Sequence, residues 1–145
     1  MSVGRICTRE VDLAHVDESV WQAAERMHQR AVGTLVVTDD DKKPIGIITD
    51  RDLVERVLAQ ALDPTATTVG QVMTHAPETV AEQDAIEQAI TVMRRERCRR
   101  LPVVDDSGQL VGLLSLDDVL QLLAEELTNV GQLLERQTPQ AAAKD

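Results

Sequence analysis

The sequence predicts a mixed α/β (α+β) fold made of two pseudo-symmetric β-α-β-β-α repeats packed sheet to sheet, with a C-terminal helical extension. Three observations predict it. Sliding the chain by 66 residues lays 13–58 on 79–124 without a gap, and nine of those 46 pairs are identical. Each copy sets a helical apolar period ahead of two short β-branched runs. Each copy also ends on one polar pattern, a hydroxyl residue three positions before an aspartate.

The identical pairs are Gln22/Gln88, Ala23/Ala89, Met27/Met93, Leu35/Leu101, Val37/Val103, Asp39/Asp105, Asp40/Asp106, Gly46/Gly112 and Asp52/Asp118. They concentrate at core-like positions and in the polar pattern, where chance would scatter them. The first helix of each copy carries Val20, Ala23, Ala24 and Met27, or Ile86, Ala89, Ile90 and Met93, along one apolar face. Asp17 or Ser19 would cap the first of these helices and Asp84 the second. Runs at 34–38 and 45–48, and at 101–104 and 111–114, flank acidic turns and read as hairpins. Gly46 and Gly112 sit within strands, where glycine marks close approach of another backbone or of a ligand. A second helix opens near Asp50 and near Leu116.

One copy, about 50 residues with a small sheet, cannot cover both of its faces. The two copies should therefore face each other and enclose two symmetry-related clefts. The expected boundaries are 1–62 for the first repeat and 63–127 for the second, with a linker at 63–73 that ends in a short helix from Val69. Residues 128–145 form the helical extension and a tail, frayed over 138–145.

Composition narrows the function. The net charge of −10 argues against nucleic acid or an anionic membrane as partner. No apolar run is long enough to span a bilayer, and the first residues lack a signal-peptide core. Cys7 and Cys98 are isolated thiols that suit a reducing compartment, so a cytoplasmic location is expected. His15, His28 and His75 share no ligand spacing with one another or with the cysteines, and no metal site is expected. Nor is there a nucleophile–base pair, paired carboxylates or a phosphate-binding loop signature, so no catalytic residues are assigned and an enzyme is the least favoured class. Trp21, the only aromatic residue, lies beside the apolar helix stripe, either as a packing residue or as part of a dimer face.

The polar pattern reads Gly46-Ile-Ile-Thr49-Asp-Arg-Asp52 and Gly112-Leu-Leu-Ser115-Leu-Asp-Asp118. As local structure it is close to a capping box, with the hydroxyl accepting a backbone N–H of the helix it opens. As a ligand site, the same helix start offers N–H groups to a phosphate, and the fixed carboxylate can accept both hydroxyls of a ribose. The cap accounts for Thr49 and Ser115 but not for the glycines. Both readings stand.

These two runs, the strand Arg100-Leu-Pro-Val-Val-Asp105 and the segment Val69-Gly-Gln-Val-Met73 together resemble a tandem pair of CBS (cystathionine β-synthase) domains, the Bateman module, over 1–127. The resemblance implies a regulatory module that binds AMP, ADP, ATP or S-adenosylmethionine and controls a partner enzyme or channel. It makes Asp52 and Asp118 ribose acceptors and puts Thr49 and Ser115 beside the phosphates. Thr79 would touch the base, and strand residues such as Pro102 would enclose it. Arg99 and Arg100 stand where the family often has a basic residue facing the phosphates, a task that suits the guanidinium fork. Arg94 and Arg95 instead complement a helix C-terminus. The first copy departs from the pattern, with Gly33-Thr34 in place of Arg99-Arg100 and Leu13 in place of Thr79, so the two clefts cannot be chemically equal.

Beyond Ser115, the residues Leu116, Leu120, Leu123, Leu127, Val130 and Leu134 alternate spacings of four and three, a heptad seam. Packing within the module is expected over 116–123, and contact with a second chain beyond Leu127. The implied assembly is a homodimer whose geometry responds to an adenosine nucleotide and acts on an effector protein in trans. The competing function is a structural protein-interaction module with empty clefts, whose polar motifs are only caps.

Overall fold

The computed structural model describes residues 1–137, so the expected fraying of 138–145 lies outside the described residues. The order is α1 (Val3–Ile6), β1 (Leu13–Ala14), α2 (Val20–Arg30), β2 (Thr34–Thr38), β3 (Pro44–Thr49) and α3 (Asp50–Leu53), which runs into a π-helical turn at Val54–Leu58. Then come α4 (Val69–Val72), β4 (Thr74–His75), β5 (Val80–Ala81), α5 (Ile86–Glu96), β6 (Arg100–Val104), β7 (Leu110–Ser115) and α6 (Leu116–Gln137). The β-α-β-β-α order is present twice.

Ser19, not Asp17, caps α2: its hydroxyl accepts the Gln22 N–H at 3.1 Å, and Gln22 Oε1 accepts the Ser19 N–H at 3.1 Å. The expected Asp84 cap on α5 is not formed. Ala85 holds the cap position without a side-chain bond, and the Asp84 carboxylate accepts the Ala81 N–H at 2.9 Å, shaping the preceding turn. Both helices stop on a left-handed residue, Ala31 (φ 54°) and Arg97 (φ 53°), at matching repeat positions.

In the first sheet β1 pairs parallel with β2, β2 antiparallel with β3, and β3 antiparallel with β4. The second sheet repeats this as β5-β6-β7. Alternation along the strands gives each sheet two buried faces. Leu35, Val37 and Ile48 meet Ala23 and Met27 of α2 in one core, and Leu101, Val103 and Leu114 meet Ala89 and Met93 of α5 in the other. Val36 and Pro102 point the opposite way, are buried as well, and belong to neither core. They lie on the faces the two sheets turn toward each other. The hairpin tips also touch, with the Leu110 N–H donating to the Lys42 carbonyl at 2.8 Å.

The segments that lead into each repeat are exchanged. Val69 and Gly70 donate their N–H groups back to the Glu18 and Val16 carbonyls, each at 2.9 Å, and Val69, Val72 and Met73 complete the first core. Val3 and Gly4 donate to Asp84 and Glu82 at 2.9 and 2.8 Å, and Val3 is buried in the second core. Thr8 bridges to Leu113 of β7, as β4 pairs with β3. The same offset therefore relates 3–8 to 69–74.

This exchange explains the strand glycines. A Cβ on Gly46 would run into the Met73 side chain, and one on Gly112 would lie 2.6 Å from Cys7 Sγ and 3.1 Å from the Thr8 carbonyl oxygen. The close approach is therefore by an exchanged segment.

Helix α6 has two apolar stripes. Leu116, Val119 and Leu122 face the second core, whereas Leu120, Leu123, Leu127, Val130 and Leu134 are 50–73% exposed. The expectation of internal packing over 116–123 holds for Leu116 and fails for Leu120 and Leu123, because the side of the helix that meets the second core carries Val119 and Leu122 instead.

Two glycine substitutions should move stability in opposite directions. Gly112→Ala should lower the unfolding free energy by about 1–3 kcal/mol through overpacking. Gly131→Ala, on a helix surface with nothing within 4 Å, should raise it by up to about 1 kcal/mol. Urea midpoints that moved the other way would contradict the packing described.

Candidate ligand-binding cleft

The two β3 residues that alternate away from the first core, Ile47 and Thr49, open onto a cleft of about 690 Å³. One wall is the β3–α3 junction with Thr49 and Asp52. Strand β4 adds Thr74 and His75, the linker after it adds Glu78, and the second repeat contributes the stretch from Glu96 to Leu101. The cleft thus joins Thr49 and Asp52 of one repeat to Arg99 and Arg100 of the other.

Thr49 ends a strand and starts a helix, and the capping box is complete. The Thr49 hydroxyl accepts the Asp52 N–H at 3.2 Å, and Asp52 Oδ2 accepts the Thr49 N–H at 2.9 Å. This holds the carboxylate at the cleft wall. Its second oxygen, Oδ1, lies 3.5 Å from Arg56 Nη2, one helical turn on. Arg56 in turn donates to the Val72 carbonyl at 2.7 Å and to Thr74 Oγ1 at 3.2 Å, which ties the helix to the exchanged linker. The sequence reading missed Arg56, although its place four residues after Asp52 was a usable signal.

The second motif is built alike: Ser115 Oγ accepts the Asp118 N–H at 3.1 Å, and Asp118 Oδ2 accepts the Ser115 N–H at 2.9 Å. Its surroundings differ. At the repeat position of Arg56 stands Leu122, which packs on the second core. Ser115 borders a recess of about 180 Å³ shared with Arg99 and Arg100. Asp118, Thr79 and Pro102 lie outside the lining of both hollows. Pro102 is buried between the sheets, and Thr79 precedes β5 beside the cleft residue Glu78.

Five arginines reach the large cleft: Arg51, Arg56, Arg97, Arg99 and Arg100. Arg51 pairs with Glu55 at 2.7 Å, and Arg99 approaches Asp117 at 3.8 Å. Arg95, outside the cleft, pairs with Glu96 at 2.6 Å and approaches Glu78 at 3.6 Å, not serving only its helix end as expected. Cys98 also lines the cleft. Burial pushes its thiol above the ordinary range, away from the nucleophilic thiolate.

Among the described residues, no group of three or more His, Cys, Asp or Glu side chains could hold a metal ion. No helix of the described residues is long and apolar enough to cross a membrane.

Comparison with known proteins fits this geometry. The family model for CBS domains matches twice, at 3–59 and 69–125. An uncharacterized protein of Methanopyrus kandleri is 34% identical over 122 residues, 84% of this chain, which spans 62% of that protein's length. Hypoxic response protein 1 of Mycobacterium tuberculosis is 31% identical over 86% of this chain and 82% of its own length. A crystal structure of Hypoxic Response Protein I with two coordinated zinc ions superposes with a TM-score of 0.75 at 29% identity, covering 83% of this chain and 98% of that one. The CBS domain pair of protein MJ0100, in complex with 5′-methylthioadenosine and S-adenosyl-L-methionine, superposes with a TM-score of 0.78 at 26% identity over 87% of this chain and 98% of that one. With two matched domains over more than half its length, and both sheets, both capped motifs and the exchanged linkers in place, the chain belongs to the CBS domain family as a tandem pair.

Proposed function

We propose that this CBS pair is a sensor that binds an adenosine nucleotide (AMP, ADP or ATP, with S-adenosylmethionine as the related alternative) and regulates a partner in trans, with no catalytic step of its own. The observation that carries the proposal is the meeting of Thr49 and Asp52 from one repeat with Arg99 and Arg100 from the other across a single cleft. Asp52 has its carboxylate fixed by the helix cap, which prepares it to accept a ribose diol with little further ordering. The arginines opposite supply donors for a phosphate. The MJ0100 complex, which holds 5′-methylthioadenosine and S-adenosyl-L-methionine, supports an adenosine-containing ligand.

Binding between the repeats bears directly on their relative position. The exposed seam of α6, which includes Leu120 and Leu123 as well as Leu127 and Val130, supports a homodimer through which such a shift is read. One observation favours the competing reading of an interaction module with empty clefts. Both glycines and both hydroxyl–Asp pairs have packing explanations that need no ligand.

Titration calorimetry with adenosine, AMP, ADP, ATP and S-adenosylmethionine separates the two. Asp52→Ala should weaken binding about 10- to 100-fold, as expected for loss of a charge-assisted hydrogen bond. No heat with any of these compounds at millimolar concentration would leave the interaction module standing. For the assembly, Leu127→Lys should halve the mass measured by light scattering; a mass unchanged from wild type would remove α6 from the interface.

A further inference from the structure

We infer that the large cleft selects a polyphosphate, a nucleoside di- or triphosphate over an uncharged or sulfonium adenosine compound, and that each chain binds one. The inference deepens the proposed reading of this cleft and rests on it. It comes from local charge. In a chain of net charge −10, five guanidiniums converge on one hollow. Four acids share the same hollow: Glu78 and Glu96 are engaged from outside by Arg95, and Asp50 accepts the Arg51 N–H at 2.8 Å. Asp52 is shared between its own cap and Arg56. Arg97 and Arg100 have no ion-pair partner among the described residues. Backbone geometry fixes both: Arg97 is the left-handed stop of α5, and Arg100 points to the inter-sheet face of β6, opposite the core residue Leu101. Like charges that lack counter-charges are neutralised well by one flexible polyanion, whose paired oxygens can take guanidinium forks. A sulfonium brings a further positive charge to the same place.

The other half of the molecule lacks this set. The repeat positions of Arg97, Arg99 and Arg100 hold Ala31, Gly33 and Thr34, and those of Arg51 and Arg56 hold Asp117 and Leu122. Arg9, at the position of His75, is already paired with Glu82 at 3.0 Å. The Thr34 hydroxyl is buried with no partner among the described residues, a poor substitute for a cation. The pseudo-symmetry therefore duplicates the Asp motif but not the phosphate donors.

The test uses the full chain and calorimetry with adenosine, ADP, ATP, S-adenosylmethionine and inorganic tripolyphosphate. ATP should bind at least tenfold more tightly than adenosine, S-adenosylmethionine no more tightly than adenosine, and ATP at one per chain. The ATP advantage should shrink as salt is raised while adenosine binding stays level. The double substitution Arg97→Ala with Arg100→Thr copies what the first repeat already carries at those backbone positions, so it keeps a conformation the fold accepts. It should collapse the ATP-to-adenosine affinity ratio. Equal affinity for ATP and adenosine, S-adenosylmethionine as the tightest ligand, two equivalent ATP molecules per chain, or an unchanged ratio in the double variant would each overturn the inference. Adenosine binding without a phosphate advantage would do so while leaving the adenosine site intact. Tripolyphosphate binding without adenosine would support the polyanion site and remove the adenosine reading. Binding of none of the five defeats both.

Discussion

The fold depends on an exchange of short segments. Each repeat leaves open one side of its core and one edge of its sheet, and what closes them is the segment that, in sequence, leads into the other repeat. Val69, Val72 and Met73 fill the first core, and Val3 fills the second. With Trp21 as the only aromatic residue and 51% exposed, these small cores have few large side chains. Each buried Val or Met is worth roughly 1.5–3 kcal/mol, so the exchanged residues form a sizeable share of a marginal total. Glycine inside β3 and β7 is the accommodation on the receiving side, since any Cβ there would occupy the space of Met73 or Cys7.

The same exchange builds the cleft. The linker that completes the first core continues past β4 as a cleft wall, and Arg56 spans from Asp52 to that linker through the Val72 carbonyl and Thr74. The motif hydroxyl and aspartate cap a helix in both repeats, so their local role and a ligand role do not compete. The cap is what holds the carboxylate in position. The halves differ in the residues around the cap, where one has arginines and the other has Gly33, Thr34 and Leu122.

Much of this was legible in the sequence. The offset of 66 residues, the 3.6-residue period in α2 and α5, and the two β-branched runs per copy fixed the repeat, its elements and the facing sheets, since each is a local pattern multiplied by symmetry. The hydroxyl–Asp pattern of Thr49 and Asp52 was legible for the same reason. What escaped depended on chain segments meeting from a distance. Val3-Gly4 repeats Val69-Gly70 in plain view, but nothing local says that each pair docks on the opposite repeat. The strand glycines left a backbone neighbour and a ligand both open because their partners, Met73 and Cys7, lie in those segments. Asp84 was placed one residue off because Ala85, with no capping side chain, starts α5. On α6 two stripes share one helix, and the sequence period alone did not separate the covered stripe from the exposed one.

The crossing of the leading segments also orders events as the chain is made. The first repeat cannot seal its interior until residues 69–73 have been synthesised, and residues 3–8, among the first produced, wait about a hundred positions for β7 before Thr8 can bridge to Leu113. Neither half closes its core from its own residues alone. Closing so long a loop is entropically slow, and once closed it makes both halves gain or lose their structure together.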